Sequence, residues 1–308
     1  MLRRIDFHNF RCFRNCSLPL DRFTVLVGPN GSGKSSVLAV LSLLASRCGA
    51  PVPPMVPTVV DRQRVHEVRS LSAAEEELTE VRFLARVEPH GSSDMTVSLQ
   101  WRPSDASLQL LERAELPGGA GPAGAIPAAF GAWARRVRVY RIQPSVAGRP
   151  ATIGPPTDLA FDAANLASVI DRLHDEFSDR FAALNGAIRR WFPEYDELVL
   201  LSPEPGKKQI ALRPRGSRHP LPGHLLSDGT LFGLCLLTLA NLPDPPSFVA
   251  LEDPAAAMHP RLLEEVHDAL VRLAYPEECA DPHAPVQVLV TTHSPYFLDL
   301  FTERPEQM

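Results

Sequence analysis

Short apolar runs alternate with stretches of helical periodicity along most of this chain. Ile5 and Phe7 alternate with polar neighbours, and Phe23–Val27 is a continuous apolar run of the kind buried on both faces of a sheet, so residues 1–27 read as strands. From Ser35 the residues Val37, Leu38, Leu41 and Leu44 recur at helical spacing as far as Cys48 and Gly49, where prolines take over and 49–60 reads as a loop. Between about 78 and 114, the runs VRFLARV, MTVSLQW and LQLLERA are separated by turn formers and predict a small antiparallel meander. Residues 117–131, rich in Gly, Ala and Pro, read as a flexible connection, and 138–142 as a strand ended by Gln143-Pro144. Two amphipathic helices are expected over 163–175 (Leu166, Val169, Ile170, Leu173) and 178–192 (Phe181, Leu184, Ile188, Trp191). Neither continues as heptads, which excludes a long coiled coil. The last third alternates helix 227–241, strand 248–251, helix 260–274 and strand 286–290, the pattern of an α/β parallel sheet.

Composition narrows the classes. At 308 residues the chain allows roughly two domains, or one with a large insertion. Hydrophobic residues at 44% and charged residues at 22% are ordinary for a globular protein. No apolar run reaches the ~18–20 residues of a membrane span, and the N-terminus lacks the apolar core of a signal peptide, so the expected compartment is the cytoplasm, without a membrane partner. Five scattered cysteines (Cys12, Cys16, Cys48, Cys235, Cys279) with no CxxC argue against a disulfide framework and a zinc site. A net charge of -5 does not advertise nucleic-acid binding, although local patches can override it. Two such patches exist: Lys207, Lys208, Arg213, Arg215 and Arg218, and Arg135, Arg136, Arg138 and Arg141. Each reads as a solvated surface or as a contact to a phosphate backbone. Lysine is otherwise confined to Lys34.

Lys34 lies in the strongest motif of the chain. Gly28-Pro-Asn30-Gly31-Ser32-Gly33-Lys34-Ser35, followed by Ser36, matches GxxxxGK[ST] between a predicted buried strand and a predicted helix. In that context glycines let backbone N–H groups converge on phosphate oxygens, Lys34 reaches the outer phosphates and Ser35 ligates Mg²⁺. Glu252-Asp253 ends one apolar strand and His293 another, where ligands gather in parallel sheets. Taken alone, His293 is equally a strand-end histidine. Ser227-Asp228-Gly229 opens an apolar helix, either as an N-cap or as a second anion-binding nest.

These four elements in this order resemble the ATPase domain shared by ABC, SMC and RecF proteins, and more closely the RecF-like and OLD-like AAA-family ATPases of bacteria. The segments NFRCF, HLLSDGT, LEDPAAAMHP and TTHSPYFLD carry the resemblance, which covers nearly the whole chain. It implies an α/β P-loop NTPase of ABC/RecF head type, with an antiparallel β subdomain and a helical signature lobe. The corresponding divisions are 1–48, 49–160, 161–242 and 243–308. It implies ATP and Mg²⁺ as cofactors, Glu252 as the Walker B acid and Asp253 as general base. His293 takes the switch position, and Gln143 the place of a glutamine that contacts metal and water. Arg11 would flank the nucleotide. Ser227 and Gly229 would contact the γ-phosphate held by a second subunit in a head-to-tail homodimer. His259 matches the family's LHP segment and is expected to be structural. Where many relatives carry two glutamates and Pro-Glu, this chain has Glu252-Asp253-Pro254-Ala255, a base one methylene shorter, which points to slow hydrolysis. OLD-like nucleases continue into a Toprim domain; the sequence ends shortly after His293, so no nuclease is assigned to it. The expected role is DNA repair or anti-phage defence beside a nuclease or effector partner. The competing roles are a nucleotide-dependent scaffold with negligible turnover and a membrane-transporter ATPase subunit.

Overall fold

The computed structural model describes residues 1–74, 77–86, 94–103, 107–116, 119–120, 126–154, 158–279 and 283–302. The chain opens with β1 (Leu2–Phe10), β2 (Phe13–Pro19), β3 (Phe23–Val27) and α1 (Lys34–Arg47). Then come β4 (Val59–Asp61), β5 (Thr79–Ala85), β6 (Met95–Pro103), β7 (Ser107–Leu116), β8 (Gly119–Ala120), α2 (Ala128–Ala134) and β9 (Val137–Tyr140). The segment α3 (Pro144–Ala147), β10 (Ala151–Thr152), α4 (Leu166–Glu176), α5 (Ser178–Trp191), β11 (Tyr195–Leu201), β12 (Lys207–Pro214) and β13 (Leu221–Pro222) leads to α6 (Asp228–Ala240). The chain closes with β14 (Phe248–Glu252), α7 (Leu263–Ala274), β15 (Gln287–Thr292) and α8 (Pro295–Leu298).

A parallel sheet of order β3-β15-β14-β9 lies at the centre. Its strands are apolar on both faces because both are covered. Val249 and Leu251 of β14 join one core with α4, α5, α6 and α7, whereas Phe248 and Ala250 join a second core with α1 and the inner face of the antiparallel sheet. Helix α1 fills the space between the two sheets, and Val37 through Ala45 are buried all round. The antiparallel sheet has order β2-β1-β5-β6-β7-β4, with β8 on β7. Its outer face is polar and its inner face carries Phe83, Val97, Leu99 and Trp101.

Several expectations change here. The meander of 78–114 does not stand apart: β5 pairs with β1 through Ile5↔Phe83 and Phe7↔Val81, so the N-terminal strands and the inserted strands share one sheet. The end of the stretch 117–131 is not a flexible connection: it enters the helix Ala128–Ala134, in which Phe130 and Ala134 bury completely against the second core. Residues 117, 118 and 121–125 of that stretch lie outside the described residues. The hairpin β11–β12 has no counterpart in the sequence reading, although Leu198 and Leu200 face Leu212 and Ile210 across it in plain alternation. Four cations of the basic run lie on or just after β12 and find acids, three within the hairpin and one on α4: Lys207 with Glu204 at 2.7 Å, Arg213 with Glu197 at 2.6 Å, Arg215 with Asp196 at 3.4 Å, and Lys208 with Asp171 at 3.2 Å. The helices α4 and α5 meet at one residue, Phe177.

One buried side chain ties the two sheets together. The Gln287 amide accepts from the Leu2 N–H at 2.8 Å and donates to the Leu2 and Asp21 carbonyls at 2.7 and 2.9 Å. Replacement by Leu, close in size, strands three backbone groups in the interior, so Gln287→Leu is expected to lower unfolding free energy by about 1–3 kcal/mol per the cost of an unsatisfied buried group. Denaturant unfolding followed by circular dichroism measures it.

Candidate functional site

The loop Gly28–Gly33 leaves β3 and enters α1 with Gly33 in the left-handed region at φ 105°. A Cβ there would lie 2.3 Å from the Phe13 ring and 2.8 Å from Cys12 Sγ, so the β1–β2 turn presses directly on the loop and only glycine fits. No side chain caps α1. Its first turn thus offers backbone N–H groups that lack intrahelical acceptors, together with the positive end of the helix dipole. Lys34 Nζ donates to the carbonyls of Gly28 and Pro29, the latter at 3.0 Å, folding the ammonium back over its own loop.

Strand register delivers the acids. Parallel pairing sets Leu26 beside Thr291 and Thr291 beside Glu252, so β3, β15 and β14 end at one level. Ser35 Oγ donates to Glu252 Oε1 at 3.0 Å, and Arg141 Nε lies 2.9 Å from Glu252 Oε2. Asp253 sits at φ 42°, a conformation tolerated by a short polar side chain, with its N–H donating to the Thr291 carbonyl at 2.9 Å. Its carboxylate meets His293 Nδ1 at 2.5 Å and accepts from the Thr292 hydroxyl at 3.4 Å. Burial pushes the Asp253 carboxyl above the ordinary aspartate value; His293, the Thr292 hydroxyl and Lys34 oppose the rise, and Glu252 adds to it.

A cleft of ≈ 320 Å³ gathers Arg11, Asn30, Gly31, Gly33, Lys34, Ser35 and Ser36 with Glu252, Asp253, Thr291 and His293. Arg11, whose guanidinium burial lowers from its ordinary pKa, is held by the carbonyls of Glu67 at 2.9 Å and Met55 at 3.3 Å, on the border between this cleft and a larger one lined by Met55, Pro57, His66 and Leu71. Ser32 stands in the loop, its N–H donating to the Pro29 carbonyl at 3.2 Å. Gln143 is not brought to the cleft: its N–H donates to Asp162 and its side chain projects to solvent at the start of α3. The residue that does reach Glu252 is Arg141, just past the end of β9, which the sequence reading places in the strand 138–142 and in a basic run without a role at the site. In the same run, Arg136 pairs with Asp244 at 2.6 Å and Arg138 with Asp158.

Ser227, Asp228 and Gly229 are not among the residues that line this cleft. Ser227 Oγ accepts from the Thr230 N–H at 3.2 Å and caps α6. Gly229 packs so closely on the loop after β14 that a Cβ would come 2.8 Å from the Ala257 carbonyl oxygen. His259 Nδ1 accepts from the Arg261 N–H at 3.3 Å and caps the turn that precedes α7, a structural task. Among the described residues no group of three or more His, Cys, Asp or Glu could hold a metal ion, so the protein offers at most a partial ligand set. That set fits Mg²⁺, which takes hard oxygens, keeps waters and shares nucleotide phosphates. Glu252 Oε2 is buried and accepts no hydrogen bond, beside the Ser35 hydroxyl.

Residues 147–299 match the family described as "AAA domain, putative AbiEii toxin, Type IV TA system", and residues 1–87 match "AAA ATPase domain". The second match carries Lys34 and Ser35; the first carries Ser227, Glu252, Asp253 and His293. A stretch of 44 residues is 46% identical to an OLD nuclease of Thermus scotoductus (strain ATCC 700910 / SA-01), spanning 14% of this chain and 8% of that protein's length. The fold is similar to an SMC head crystallised with the C-winged helix domain of ScpA, with a TM-score of 0.65 at 15% identity over 97% of this chain and 91% of that one. It is also similar to the SMC head domain of Thermotoga maritima, with a TM-score of 0.50 at 15% identity and the same coverage. Both family matches are to AAA domains, the fold is similar to that of SMC heads, and no described helix is long and apolar enough to cross a membrane.

Gly229→Ala forces the start of α6 off the Ala257 carbonyl. Overpacking of this kind costs about 1–3 kcal/mol, to be read as a lowered midpoint in urea unfolding.

Proposed function

We propose that this chain binds ATP with Mg²⁺ in the cleft over α1, closes head to tail on a second copy around the nucleotide, and hydrolyses it slowly. The observation that carries the reading is the Ser35 hydroxyl 3.0 Å from the Glu252 carboxylate, directly beside Lys34 at an uncapped helix start. That is a hard-oxygen pair next to a cationic anion cradle. Lys34 would leave the Gly28 and Pro29 carbonyls for the outer phosphates. The N–H groups of Gly31 through Ser36 would cradle the inner ones, and Asn30 and Arg11 would border the nucleotide. Bound Mg²⁺ supplies charge neutralisation on the phosphate oxygens, held from the protein side by Ser35 and Glu252. Asp253 would take the proton of the attacking water, and His293, in contact with Asp253, would report the terminal phosphate to the switch segment. The position of Ser227 and Gly229 outside the cleft supports their acting on the nucleotide of a partner copy.

The similarity to an OLD nuclease and to SMC heads supports a nucleic-acid role in the cytoplasm, DNA repair or anti-phage defence, with DNA and a nuclease or effector protein as partners. Because the basic residues of both runs largely pair with acids of the same chain, DNA contact through them would have to displace those acids. A second reading, a nucleotide-dependent switch with negligible turnover, is favoured by one observation. The Asp253 carboxylate is already engaged by His293 and Thr292 and must be freed before it can act as a base.

Lys34→Ala is expected to abolish binding of a fluorescent ATP analogue; retained affinity removes the assignment. Asp253→Asn is expected to keep binding and to double its mass in light scattering with Mg-ATP. A mass that never changes while nucleotide binds removes the partner role of Ser227 and Gly229. The pH profile has a definite sign. A raised Asp253 pKa keeps the carboxyl protonated to higher pH, so turnover should fall on acidification above the ordinary aspartate range, an acid limb that Asp253→Glu should displace.

A further inference from the structure

We propose that Arg141 is a resident cation that holds the magnesium position of Glu252 in the nucleotide-free protein and is expelled when the metal enters. The inference rests on the nucleotide-site reading above. Arg141 stands just beyond the end of β9, its backbone fixed by donation to the Phe161 carbonyl at 2.8 Å. Its side chain is 60% exposed, yet it turns back to place Nε 2.9 Å from Glu252 Oε2. Glu252 is 19% exposed, and its two oxygens differ: Oε1 accepts the Ser35 hydroxyl, and Oε2 is buried and accepts no hydrogen bond.

A half-buried carboxylate needs compensation by charge, by hydrogen bonds, or by taking up a proton. Here the compensation at Oε2 is charge without a directed hydrogen bond, the kind of partner that a compact cation can replace. Lys34 and Arg11, the cations that line the cleft, are engaged with backbone carbonyls. The guanidinium is permanently charged and has solvent beside it. A divalent cation held by Glu252 would repel it from contact with Oε2, since both charges are positive. Metal entry is therefore a cation exchange. Arg141 compensates the charge of Glu252, whose other oxygen meets Ser35, and raises the Mg²⁺ concentration needed to displace it.

The test uses the full chain and two readouts independent of turnover: the Mg²⁺ midpoint for binding a fluorescent ATP analogue, and the melting temperature without nucleotide. Removing an ion pair of this exposure in Arg141→Ala should lower the Mg²⁺ midpoint by about fivefold or less. The nucleotide-free variant should melt below wild type and recover when Mg²⁺ alone is added. Arg141→Gln, which keeps most of the stem, should shift the midpoint in the same direction, whereas Arg141→Lys should stay near wild type; these two decide the matter if Arg141→Ala does not fold. An unchanged or raised midpoint in Arg141→Gln overturns the exchange while leaving the nucleotide site intact. Failure of wild type to bind the analogue at any Mg²⁺ concentration overturns the underlying reading instead.

Discussion

The constraint on which the rest depends is the common level at which three parallel strands end. Val27 pairs with Thr292, and Leu26 shares a row with Thr291 and Glu252. Parallel neighbours need crossover connections, so segments distant in sequence are brought to one edge with their carboxyl ends aligned. The phosphate loop follows β3, the Glu252-Asp253 pair closes β14, and His293 follows β15. A one-residue slip in any of these strands would reverse which side chains face each core, so the two buried cores that enforce the register also enforce the site.

The antiparallel sheet contributes more than a lid over α1. Its β1–β2 turn carries Arg11, Cys12 and Phe13 onto the phosphate loop, where the contact with Gly33 is too close for any Cβ. Gln287 fixes the far end by holding the first residue of β1 and the last turn before β3. The phosphate loop is thus clamped between sheets. Its backbone N–H groups are preorganised for an anion and need little rearrangement on binding.

The charged groups of the site satisfy one another. Lys34 rests on loop carbonyls, Glu252 on Ser35 and Arg141, and Asp253 on His293 and Thr292. A partly buried cluster of this kind is stable only when each charge has a partner, because desolvation penalises any left alone. On the proposed function, nucleotide and metal would exchange these partners for phosphate and cation. The same accounting applies to the basic run on the hairpin: Asp171 reaches Lys208 from α4, while Glu204, Glu197 and Asp196 of the hairpin itself pair with Lys207, Arg213 and Arg215.

How much was legible in the sequence follows from the range over which each feature is determined. The phosphate loop, the apolar strands Phe23–Val27, Phe248–Glu252 and Gln287–Thr292, and the helices α4 to α7 were readable because periodicity and glycine placement are local properties. Site residues that follow those strands directly were readable for the same reason. Gln143 and Arg141 show where that ends. Both lie just past β9, and only the pairing of β9 with β14 shows that the side chain meeting Glu252 is the arginine. The hairpin β11–β12 was hidden by its charged residues, which pair across the two strands and their turn and, through Lys208, with α4. The helix Ala128–Ala134 was hidden by a composition that suggests flexibility until Phe130 finds its core. Local chemistry along the chain determined which residues could bind a phosphate. Only the tertiary structure decided which charges face one another, because opposite charges choose partners by distance in space and not along the sequence.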